Sequence, residues 1–170
     1  YINIIVPVVC MDIWSGIMRY MFDFEEREDK YKAIFNGCLI FCCSVLIYAV
    51  GTGVLGIITD IRYLVLIFLF GLFTMIQTVY TYVARGLGYN AIFAASGIVG
   101  SLVNSGSNIV MILVFNMRIE SLYIALILGL LVQIIIMETK VKLIKHFSFK
   151  LFDWAMVKSM LRFSLPLSLN

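Results

Sequence analysis

Six polar residues set in or beside apolar sequence are where this chain could do chemistry: Asp12, Arg19, Gln77, Arg85, Asn104 and Asn108. A guanidinium keeps its charge and can grip a phosphate through two parallel hydrogen bonds. Arg85, with Arg19 as its weaker partner, is therefore the candidate for capturing an anionic phosphate group. The competing role for Arg85 is an anchor that snorkels to an interface or only obeys an orientation bias. Gln77, Asn104 and Asn108 could line a wet conduit, or could bond across a helix contact. Asp12 is the only acidic residue well inside an apolar segment, and it stands seven residues, about two helical turns, before Arg19. An ionisable group at such depth usually faces protein or water, so Asp12 is expected to line a cavity or to lie close to an interface.

Other chemistries find no support in the residue pattern. The apolar stretches hold no histidine, so no nucleophile–base pair for an intramembrane hydrolase is legible. The sole histidine, His146, lies in a polar stretch far from Cys10, Cys38, Cys42 and Cys43, and these four are expected to be reduced thiols buried in helices rather than zinc ligands. RGLG, at Arg85 to Gly88, is too short and generic for a phosphate loop. No enzyme activity, metal or cofactor is expected. Basic and aromatic residues do not interleave on a soluble face, which argues against nucleic acid as a partner.

The elements that must position these residues follow from composition. Of 170 residues, 62% are hydrophobic and 14% charged, against roughly 45–50% and about 25% in soluble domains. A soluble fold of this size could not hide so much apolar surface, whereas a lipid exterior needs no hiding. The apolar runs have the length of bilayer spans, about 20 residues, and backbone in lipid must pair internally. The expected fold is all-α, a polytopic transmembrane helix bundle.

Apolar segments cover approximately 1–18, 33–58, 64–84, 91–115 and 121–139, which makes about four complete spans preceded by the end of another. Gly51, Gly53 and Gly56 are expected to mark a helix boundary or a close helix contact, and Gly86 and Gly88 to supply turn conformations. Residues 140–162 alternate basic and aromatic side chains, as an amphipathic interfacial helix would, with Trp154 at headgroup level. Residues 163–170 open a further span, with Pro166 near its start, where a missing N–H does no harm. Opening on Tyr1 and ending inside an apolar segment, the chain is expected to be a piece of a longer one, with no signal peptide ahead of it.

Eleven of the thirteen Lys and Arg residues fall on one side of this arrangement, and only Arg62 and Arg118 on the other. The positive-inside rule makes the rich side cytoplasmic. Polar residues concentrate in two spans. The third holds Thr74, Gln77, Thr78, Tyr80, Thr81 and Tyr82. The fourth holds Ser96, Ser101, Asn104, Ser105, Ser107 and Asn108, with Gly97, Gly100 and Gly106 among them. The four-residue spacings Gly97–Ser101 and Gly100–Asn104 suit close helix approach.

The run ARGLGYNAIFAASGIVGSLVNSGSNIVMILVFNMRIESLYIALILG, Ala84 to Gly129, resembles the oligosaccharide flippases of bacterial polysaccharide synthesis, the Wzx-like proteins of the multidrug/oligosaccharidyl-lipid/polysaccharide exporter superfamily. LRFSLPLSLN, Leu161 to Asn170, and DIWSGIMRYMFD, Asp12 to Asp23, are similar to family phrases that open a seventh helix and end a second one. FEEREDKYK is more acidic than is usual there, and Tyr89 replaces a basic residue of many relatives. The resemblance implies a two-lobe transporter, this chain forming part of the N-terminal six-helix lobe. It implies passage of an undecaprenyl-pyrophosphate-linked oligosaccharide across the bacterial inner membrane, with the bilayer, polysaccharide polymerase and glycosyltransferases as further partners. A multidrug or lipid-linked peptidoglycan-precursor exporter of the same superfamily, or a non-transporting membrane scaffold, are the alternatives.

Overall fold

The computed structural model describes residues 13–24, 26–58, 63–146 and 151–168, with the side chains of 27, 28, 144, 146 and 165–168 excepted. Asp12, Cys10, Arg62 and most of the first apolar segment lie outside the described residues. The described residues fold into helices α1 (Ile13–Asp23), α2 (Arg27–Ile58), α3 (Leu64–Gly86), α4 (Asn90–Leu113), α5 (Ile119–Val141) and α6 (Trp154–Ser168), with a 3-10 turn at Leu143–His146 and no strand. The chain is an all-α membrane protein: α2, α3, α4 and α5 are long and apolar enough to cross a bilayer.

At about 1.5 Å of rise per residue, the 32 residues of α2 span about 48 Å, more than the roughly 30 Å hydrocarbon layer. The charged segment Arg27 to Lys32 is thus the projecting start of α2, and its Lys32 Nζ pairs with Asp29 Oδ1 at 2.8 Å. The glycines at the other end of α2 do not break it. The helix is continuous to Ile58, Gly51 and Gly53 face open space, and only Gly56 makes a close contact, against Leu64. At the α3–α4 turn the two glycines divide the expected work. Gly88 takes φ +83°, a left-handed conformation, whereas Gly86 stays helical and admits Met21 of α1.

Large side chains from five helices meet at one end of the bundle, called here the basic end. Ile13, Ile17 and Met21 of α1 pack with Ile34 and Cys38 of α2, Val79 and Val83 of α3, Met137 and Val141 of α5, and Val157 and Met160 of α6. Toward the opposite end, a smaller cluster of Trp14, Tyr48 and Met75 joins α1, α2 and α3, where Tyr48 stacks on Phe68 at 5.5 Å. Beyond it α2 exposes Val50, Leu55 and Ile58, and α4 exposes Ile109 and Leu113. Lipid can cover such surface and water cannot do so cheaply.

The stretch 140–162 departs from the expected surface helix. After the 3-10 turn, residues 147–150 lie outside the described residues, and α6 already begins at Trp154, twelve residues before Pro166. Asp153 explains the start: its Oδ1 accepts from the backbone N–H of Ala155 at 2.9 Å and of Met156 at 3.3 Å, an N-cap. Tyr20 bonds Ser159, and Gly16 lies against Ser164. As α6 advances, its contacts on α1 retreat, so the two helices run antiparallel. Residues 154–162 are the first turns of a helix entering the bundle, not a strap lying across it, and Pro166 falls twelve residues past the start of that helix rather than near it.

Candidate functional site

The polar residues of α3 satisfy themselves or reach α5. Thr74 and Thr78 hydroxyls donate to the backbone carbonyls of Phe70 and Thr74, at 2.7 and 2.8 Å. The Gln77 amide donates to Gln133 Oε1 at 2.9 Å and to Thr81 Oγ1 at 3.1 Å. Tyr80 hydrogen-bonds Glu138, whose Oε2 also accepts from the Leu143 backbone N–H at 2.9 Å. Gln77 therefore belongs to a helix contact. Its partner Gln133 is the single amide in the apolar run Leu130 to Ile136, the one signal that the sequence offered for it.

On α4 the polar stripe splits. One flank packs on α5: a methyl group at Gly100 would collide with Gln133 Cγ, and one at Gly129 would stand 2.9 Å from both Asn104 Cβ and the Gly100 carbonyl oxygen. Gly100 and Asn104 thus let the backbones approach, and Asn104 sits in that contact. Asn108, one turn further, has its side-chain oxygen buried without a hydrogen-bond partner among the described residues. Gly97 and Ser101, equally well spaced, do not touch α5 in this way: nothing lies within 4 Å of a methyl group built on Gly97.

Gly97 and Ser101 instead line a furrow of about 550 Å³ together with Phe93, Ala94, Ile98, Leu102 and Ser105. The Arg85 guanidinium stands over the Phe93 ring, 5.7 Å from its centroid, which places it at the basic end of the furrow. It is exposed, and it makes no ion pair among the described residues. Its planar fork is therefore open toward a ligand on one side and shielded by an aromatic face on the other. Arg19 lies elsewhere: its guanidinium sits 4.2 Å from the Phe163 ring centroid on α6 and 3.9 Å from Asp23. The structure thus sets Arg85 over Phe93, the first lining residue of the furrow, assigns Gln77 and Asn104 to helix contacts, and gives Arg19 to the α1–α6 junction.

Asn36 was not marked by its sequence context. It is fully buried, and its amide donates to the Lys32 and Leu151 carbonyls at 2.8 and 3.0 Å and accepts from the Asp153 N–H at 2.9 Å. It pins the backbone just ahead of α6 to α2. Of the cysteines, Cys38 is buried as expected, but Cys42 and Cys43 are exposed on the outer face of α2. No family model, no curated protein and no solved structure matches the chain.

Proposed function

We propose that the chain is part of a transporter that passes an undecaprenyl-pyrophosphate-linked oligosaccharide across the bacterial inner membrane for surface polysaccharide synthesis. The observation that carries this is the placement of Arg85 at the head of the α4 furrow lined by Ser101 and Ser105. A pyrophosphate and a hydroxyl-rich glycan cannot cross hydrocarbon unaided. A free guanidinium beside a row of small hydroxyl residues offers phosphate binding first and hydrogen bonds next. The resemblance of Ala84–Gly129 to the oligosaccharide flippases supports the same assignment. In it, the basic end faces the cytoplasm, as eleven of thirteen Lys and Arg residues favour. The furrow is then one wall of a passage whose other wall is a second lobe.

Glycan export by a full-length Arg85→Lys protein at matched membrane abundance tests the role. Loss of export is expected, because lysine keeps the charge but loses the planar fork. Wild-type export would leave Arg85 an anchor. Cysteines placed at Ser101 and Ser105 should react with a water-soluble maleimide, and one at Asn104 should not. Equal silence at all three would favour the scaffold alternative, in which α4 only meets helices or lipid.

A further inference from the structure

A separate, apolar feature lies between α2 and α6. α2 and α6 diverge there and leave a crevice of about 320 Å³, lined almost wholly by carbon: Leu39, Cys43 and Ile47 on α2, and Trp154, Val157 and Leu161 on α6. Its long axis follows from the helices. Both begin at the basic end, with Asn36 holding their starts together. The crevice therefore opens beside Phe152 and Trp154 and continues along the apolar part of α2 to Ile47. Phe152 and Trp154 at its mouth are 53% and 67% exposed. Lys158 and Arg162, each directly following a crevice-lining residue of α6, run alongside it, exposed and in no ion pair among the described residues.

We propose that this crevice holds one acyl chain of an anionic phospholipid, with the headgroup met by Lys158 and Arg162. The occupant follows from the chemistry of the two parts. An apolar slot that starts at a tryptophan and runs into a membrane-spanning helix matches a lipid tail below an aromatic belt. Two unpaired basic side chains alongside the slot, Lys158 about one turn and Arg162 about two turns past Trp154, are long enough to reach back toward the mouth and supply the complementary charge for an anionic headgroup. A neutral lipid would fill the slot and leave both cations unmatched. The site requires only that α2 lie in a bilayer, and so it stands apart from the transport proposal.

Tryptophan quenching by brominated phospholipids tests it. The chain has two tryptophans, and Trp14 is only 5% exposed, so Trp154 carries most of the lipid-dependent quenching. With the chain reconstituted in phosphatidylcholine bilayers, brominated phosphatidylglycerol should quench with an apparent association stronger than that of brominated phosphatidylcholine by about fivefold for each engaged basic residue, about thirtyfold for both. The preference should vanish in Lys158→Gln/Arg162→Gln. In Cys43→Phe, which fills the slot, quenching by both lipids should fall. Equal quenching by the two lipids in the unmodified chain would overturn the proposal. So would a preference that survives the double substitution, or a Cys43–Cys43 cross-link between chains in the same bilayer, which would put a second copy on this face.

Discussion

The basic end of the bundle and the α4–α5 pair are held together by different means. At the basic end, Ile13, Ile17, Met21, Met137 and Met160 interlock with no exposed surface. Between α4 and α5 there is almost no large buried side chain on the α4 side: its buried residues are Ser96 and Gly100. The contact works by bringing backbones close, with Asn104 against Gly129 and Gln133 over Gly100. Interlocked large side chains resist displacement because a shift opens voids. A small-residue contact instead lets the two backbones approach along much of their length, and it leaves the other flank of α4 free to form the furrow. The first region is a fixed junction that sets where α6 enters. The second holds α4 along one face and leaves the Gly97–Ser101 face open.

That contrast breaks most easily at Ile17, whose side chain fills the space over Gly37. Ile17→Ala should lower stability by about 2–5 kcal/mol, the usual cost of a buried aliphatic cavity, as read by SDS-induced unfolding in mixed micelles. Ile98→Ala, at a furrow-lining position 65% exposed, should change it by less than about 0.5 kcal/mol. Similar values at the two sites would mean that the basic end is no better packed than α4.

Gly129 and Gly97 sharpen the same comparison within one helix pair. Gly129→Leu must push against the Gly100 backbone and should cost about 1–3 kcal/mol. Gly97→Leu points a larger side chain into open space and should be nearly neutral for stability, while narrowing the furrow. Thermal melting of both variants in the same lipid–detergent mixture checks the difference. If Gly97→Leu proves as damaging as Gly129→Leu, the free flank of α4 is occupied.

Asn36 should show a smaller effect with a local signature. Asn36→Leu orphans the Leu151 carbonyl and the Asp153 N–H, but both residues are only partly covered or exposed, so water can replace the lost bonds. A loss of about 1 kcal/mol, the low end for an unsatisfied buried group, is expected. Tryptic cleavage after Lys145 or Lys150 should become faster, while the melting of the rest of the bundle changes little. An unchanged cleavage rate would mean that Asn36 does not hold the approach to α6.

How much of this was legible differs between spans and site. The four spans were visible because apolar runs of that length are rare outside bilayer-crossing helices. The start of α6 was not, although Asp153 is a helix-capping residue type. The basic and aromatic residues around it satisfy an interfacial pattern equally well, and only the burial of Val157 and Met160 decides between the two. For the site, residue types were informative and facing was not. Gly97–Ser101 and Gly100–Asn104 have the same spacing, yet one pair faces open space and the other faces α5. The two pairs are separated by only about 60° around the helix axis. A small difference in where the partner helix lies is enough to exchange their roles, and no local pattern encodes it. Gln133 and Asn36 act on partners 56 and 115 residues away in sequence.

The Gln77–Gln133 bond makes the finest test, because it decides whether an amide in a span serves packing or passage. Interhelical hydrogen bonds inside membranes average only about 0.6 kcal/mol, since the alternative state also finds partners. Single substitutions are ambiguous here. Gln133→Leu also changes the packing over Gly100, and Gln77→Leu also frees Thr81 Oγ1. A double-mutant cycle removes those private effects. Gln77→Leu, Gln133→Leu and the double variant should give a coupling of about 0.6 kcal/mol in SDS-induced unfolding, so that the second substitution costs less once the first is made. Zero coupling would mean that the two amides do not share a bond in the bilayer. Gln77 would then be available to a solute, and the polar face of α3 would belong with the α4 furrow rather than with the helix contacts.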